Sequence, residues 1–138
     1  MRAAVLFFGG PRREKVAELA RGLAEGLERG GHQVDLIDGD HDIGRKLTVY
    51  EYIALGTAAT TLFGGKLDPK IEQYLSQAGT LLGKKSFAFV LRTTMGSHKG
   101  LANLMKVMEK QGLFLRFSEI IRSREEAVQV ARRLKLDR

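Results

Sequence analysis

Five apolar runs of strand length alternate along this chain with stretches whose apolar residues recur at helical spacing, and that alternation restricts the fold more than any other feature. Residues 2–8, RAAVLFF, end at Gly9-Gly10, and Val16, Leu19, Ala20, Leu23 and Leu27 then mark a helix over 12–29. Gly30-Gly31 closes it, and HQVDLID at 32–38 supplies the second strand. VYEYIALGT at 49–57 is the third. After the loop AATTLFGGKL a helix starts with Asp68 as cap and Pro69 at its first position, turning Ile71, Leu75 and Ala78 inward. SFAFVLRTT at 86–94 is the fourth strand, and Leu101, Leu104, Met105 and Met108 mark a helix that ends at Gly112. LFLRFSEII at 113–121 is the fifth. Ser123 and Glu126 form a capping box for a last helix whose stripe is Ala127, Val128, Ala131 and Leu134.

Strands alternating with helices predict an α/β three-layer sandwich: a five-stranded parallel sheet, helices on both faces, right-handed connections. One connection is unusual. Only the ten residues DHDIGRKLTV join strands two and three, whereas a whole crossover with its helix needs about 10–12. The second crossover helix is therefore expected to be short or missing, leaving one sheet face thinly covered and open to a second copy of the chain. With 138 residues and no repeat or linker, residues 1–138 read as a single domain.

The chain has no cysteine, which excludes disulfides, thiolate catalysis and cysteine-held metal clusters. Its apolar runs are far shorter than the roughly 20 residues a membrane helix needs, and RAAVLFFGG lacks the form of a signal segment, so a cytoplasmic protein is expected. His32, His41 and His98 show no metal-binding spacing. The dinucleotide pattern G-x-G-x-x-G and the P-loop are both absent, and Asp38 and Asp40 read as turn residues. A receiver-type Mg²⁺ site is excluded because the first strand ends in Phe7-Phe8-Gly9 rather than in acids. Net charge is +7, with pI near 9.9, which favours acidic or anionic partners. Nucleic acid is disfavoured, because the aromatics Phe7, Phe8, Phe87, Phe89, Phe114 and Phe117 sit in strands, where core packing explains them.

Ligands of an open parallel sheet lie beyond the carboxyl ends of its strands. Three loops reach that place: GGPRR, AATTLFGGK and TTMGSHKG. At the first, a helix N-terminus offers free N–H groups to an anion, while Arg12 and Arg13 oppose the helix dipole by about 0.3–1 kcal/mol each, so an anion bound there would relieve them.

YIALGTAATTLFGGKLDPKIEQYL and FVLRTTMGSHKGLANLM resemble the third and fourth strands, flavin loops and following helices of the flavodoxin family, which includes flavodoxin-like NAD(P)H-dependent FMN reductases. The resemblance spans nearly the whole chain and implies strand order 2-1-3-4-5 and FMN as cofactor. It implies phosphate contacts from Gly9, Gly10, Arg12 and Arg13, although the family's hydroxyl-rich Thr-Gly-Asn-Thr core is missing. Ring contacts would come from Thr57, Ala58, Thr60, Phe63 and Gly64, without the family's usual Tyr or Trp, and polar-edge contacts from Thr94, Gly96 and Ser97. No residue is assigned as catalytic and no metal is expected. On the resemblance the function is FMN binding and electron transfer, as a carrier or reductase component with an acidic redox partner. The alternative is a flavodoxin fold that has lost FMN and serves as a protein-binding or assembly module.

Overall fold

The computed structural model describes residues 1–61 and 64–137. Strands β1 (Arg2–Phe7), β2 (Gln33–Asp38), β3 (Tyr52–Thr57), β4 (Lys85–Leu91) and β5 (Phe114–Ile121) form one parallel sheet in the order β2-β1-β3-β4-β5. Helices α1 (Arg13–Arg29), α2 (Lys70–Ser76), α3 (Ser97–Lys110) and α4 (Arg124–Arg133) connect or flank them. Fold class and strand order agree with the sequence reading. The third strand is shorter than its apolar run, since it opens at Tyr52 and leaves Val49 exposed.

Period-two alternation sorts the strands between two cores. Ala3, Val5, Phe7, Phe87, Phe89 and Leu91 face α1 and α4, while Ala4, Leu6, Ile53, Leu55, Ala88 and Val90 face α2 and α3. Pairing of α4 with α1 depends on Gly22 and Gly26: a Cβ on Gly22 would lie 2.4 Å from the Arg124 carbonyl oxygen, and one on Gly26 2.5 Å from the Ala131 Cβ. Ser123 caps α4 by accepting the Glu126 amide at 3.2 Å, as the sequence indicated; the return bond from Glu126 reaches the Arg122 amide instead of that of Ser123.

No helix joins β2 to β3. The connection covers the sheet itself by burying Leu47 and Tyr50 against Ile37, Phe8 and Ile53. The Tyr50 hydroxyl donates to Asp35 at 2.6 Å and accepts from Arg45 at 2.8 Å, and Arg45 also holds Asp42. Lys84 donates to the Thr48 and Tyr50 carbonyls, and the Leu47 amide donates to the Ala78 carbonyl. These bonds are required because an irregular segment lying on a sheet carries backbone groups that no ladder satisfies. The face expected to be thinly covered is thus sealed by a pinned loop, though Ile43 and Val49 of the loop itself remain exposed.

Candidate functional site

The three loops do converge at the carboxyl ends of the strands, but their polar groups are largely committed to one another. After β1 the chain makes a single 3-10 turn over Gly10–Arg12 before α1 begins. The buried Gly9 donates its amide to the Asp40 carboxylate at 2.9 Å. Arg13, in the first turn of α1, spans Asp38 and Asp40, reaching Asp40 at 3.1 Å and both oxygens of Asp38. His41 Nδ1 lies 2.8 Å from Asp38, and the Asp40 amide donates to the Asp38 side chain at 3.1 Å. The anion that this basic helix start calls for is supplied by the chain itself.

Burial would raise the Asp38 pKa, but the hydrogen bonds from Arg13, His41 and the Asp40 amide outweigh it and hold the carboxyl at about 2. Arg13 shifts upward, chiefly through its hydrogen bond to Asp38. A depressed carboxyl pKa stabilises the folded state above the unfolded value near 3.8, and that stability is lost as the pH falls toward 2. Chemical denaturation followed against pH should show Asp38→Asn losing on the order of 1–2 kcal/mol at neutral pH, with a shallower acid limb than the parent chain. An acid limb of unchanged steepness would remove Asp38 from this account.

Arg12 projects to solvent and is unpaired among the described residues, while Gly10 has φ +55° and lies in van der Waals reach of the second loop, a Cβ there standing 3.9 Å from the Ala58 carbonyl oxygen and 4.0 Å from the Thr60 methyl. In the second loop the buried Thr57 donates to the Phe8 carbonyl at 2.7 Å. The Thr60 amide and hydroxyl both donate to the Lys66 carbonyl, and the Thr61 hydroxyl accepts the Lys66 amide. Ala58 is buried and Gly64 exposed. Gly65 is pressed against Lys99 and Gly100, and its carbonyl accepts from Asn103 at 2.9 Å. Phe63 lies outside the described residues. In the third loop Gly96 takes a left-handed conformation before α3, and the buried Ser97 hydroxyl accepts the Thr93 amide at 2.8 Å. Thr94 is exposed. A cleft of about 1050 Å³, lined by Met1, His32, Glu51 and Leu136 among others, lies at the opposite, amino-terminal end of the sheet.

No protein-family profile matches the chain, and no curated protein matches its sequence. Solved structures do match. A flavodoxin from the domain Archaea superposes with TM-score 0.73 at 18% identity, covering 99% of this chain and 95% of that one. Oxidised flavodoxin 1 from Bacillus cereus gives 0.71 at 18% identity, covering 94% of each chain. The chain has a flavodoxin-like fold. A WrbA-like flavodoxin from Agrobacterium tumefaciens superposes at 0.64 with 16% identity over 96% of this chain and 93% of its own.

Within that flavodoxin-like frame, the reading of Asp38 and Asp40 as plain turn residues needs correction. They bind the residue expected to hold a phosphate. The signal was present in the sequence: β2 lies beside β1 in the 2-1-3-4-5 order, so acids at the end of strand two face cations at the start of the first helix. Like charges at that turn would then have required compensation from the neighbouring strand.

Proposed function

We propose that this chain is a flavodoxin-fold binding module whose phosphate position is occupied by its own carboxylate. One observation carries the reading: Asp40 accepts the Gly9 amide and the Arg13 guanidinium, the two groups of the first loop best placed to hold a phosphate. FMN does not fit this arrangement, because its phosphate dianion would meet Asp40 rather than a vacant cradle, and bringing two anions together in a partly buried site is unfavourable. The hydroxyls of Thr57, Thr60 and Ser97 also serve the loops' own backbone.

A second reading, FMN binding with electron transfer as a carrier or reductase component, is favoured by the free Arg12 and by the flavodoxin-like fold. In it Asp40 must leave the cradle before Gly9, Gly10, Arg12 and Arg13 can hold the phosphate. FMN when bound would supply the redox chemistry, and the chain's residues would only bind and orient it.

Titration of flavin-stripped protein with FMN, followed by flavin fluorescence, separates the two. The module reading expects no saturable quenching by the parent chain and gain of binding in Asp40→Gly, which vacates the cradle. Tight FMN binding by the parent, weakened about tenfold or more in Arg12→Ala, would overturn it and establish the second reading.

A further inference from the structure

We propose that the α1-side face of β5, with the tail after α4, is a docking surface for an acidic protein segment that carries apolar side chains. The inference rests on the binding-module reading and places the partner's contact. Of the six strand aromatics that core packing was expected to explain, four are buried, but Phe114 and Phe117 are 53% and 44% exposed. The cause is topological. Helix α4 nests on α1 at Gly22 and Gly26, which leaves this face of the edge strand without a covering helix.

The patch is organised rather than frayed. Phe117 stacks on the buried Phe87 with centroids 5.9 Å apart and planes at 24°, so its ring is anchored to the core. A register shift opposite Ser86 and Phe87 inserts Arg116 as an extra residue, and its guanidinium lies 5.4 Å from the Phe114 centroid. Tyr52, Arg116, Phe117, Arg133, Leu134 and Lys135 line a cleft of about 270 Å³ beside these rings. Arg116, Arg133 and Lys135 are exposed, and the ion pairs among the described residues leave all three without a carboxylate. The strand's one acid, Glu119, sits further along, opposite Phe89.

Charge decides the occupant. A second copy would bring the same cations and the same net +7, so this patch repels itself. Unpaired cations around exposed rings complement carboxylates interspersed with apolar side chains. Base stacking is less suited, because Phe117 and Phe114 each already have one face covered, by Phe87 and by Arg116.

The test is amide chemical-shift mapping of the ¹⁵N-labelled full chain with three probes: a synthetic peptide of alternating glutamate and leucine, its lysine–leucine counterpart, and a short DNA duplex. Shifts from the acidic peptide should fall on β5, Tyr52 and Lys135, weaken about tenfold in Arg116→Glu/Arg133→Glu, and weaken in Phe117→Ser measured well below that variant's own melting temperature, with its remaining amide spectrum that of the folded chain. No shifts, shifts elsewhere, equal binding of the lysine peptide or tighter binding of DNA would overturn the proposal. FMN added to the same sample reports on the loops at the other end of the strands. Flavin binding there would therefore refute the module reading without deciding whether β5 takes an acidic segment, and failure of the peptide would leave that reading standing.

Discussion

Gly56→Val should cost about 3 kcal/mol or more, lowering the melting temperature by roughly 10 °C, among the largest losses expected of any single substitution in this chain. Gly56 lies in the central strand β3, opposite Phe89 on β4, and the Phe89 ring lies directly across it. A Cβ there would stand 2.1 Å from the ring carbons, and Phe89 is fully buried beneath α1 with no room to swing aside. Overpacking of a filled core ordinarily costs 1–3 kcal/mol, and here the clash lies between a rigid ring and the backbone of a strand hydrogen-bonded on both sides. Thermal and urea unfolding would measure it. Because the damage is a specific contact, Phe89→Leu in the Gly56→Val background should recover part of the loss although Phe89→Leu alone destabilises. Two simply additive penalties would show that the contact is not the cause.

Tyr50→Ala should cost a further class of stability, about 3–5 kcal/mol, and its origin is different. Tyr50 sits in the connection between β2 and β3 and is only 1% exposed. Its ring helps to fill the sheet face that a crossover helix would otherwise cover, and its hydroxyl bridges Asp35 and Arg45. Removing the ring opens a cavity and releases the loop together. Tyr50→Phe keeps the ring, so only about 1 kcal/mol should be lost. The Tyr50 hydrogen bond is the largest influence holding the Asp35 pKa down, so that pKa should rise in Tyr50→Phe; an unchanged Asp35 titration by NMR would contradict the bridge.

The two substitutions also mark where the sequence was informative. The order of elements and the missing crossover helix could be read from periodicity and loop length, because both follow from backbone geometry within a short window. What replaced the helix could not be read that way. Leu47 and Tyr50 belong to an aperiodic stretch, and their burial depends on Ile37, Phe8 and Ile53, which only the folded sheet brings beneath them. The strand aromatics divide for a similar reason. Phe87 and Phe117 look alike in sequence, but one lies under α1 and α4 and the other on an edge strand that no helix reaches on that side.

The candidate site was legible in a narrower sense. That the GGPRR turn needs an anion followed from its charges and the helix dipole. That the anion is internal depended on strand neighbours about 25 residues away, since Arg13 meets Asp38 across the β1–β2 pair. Thr57 and Ser97 could be recognised as loop hydroxyls; that they bond to Phe8 and Thr93 rather than point outward depended on loop geometry that composition does not set.

The tether on Asp40 turns the first loop into a competition assay built into one molecule. A carboxylate held on a short connection to its receptor acts at an effective concentration of millimolar or above. Any free dianion seeking Gly9 and Arg13 must exceed that threshold or bind them far more strongly than a carboxylate does. On the module reading, the selectivity of the turn is then governed by the stiffness of residues 38–42 rather than by the glycines and arginines that form it.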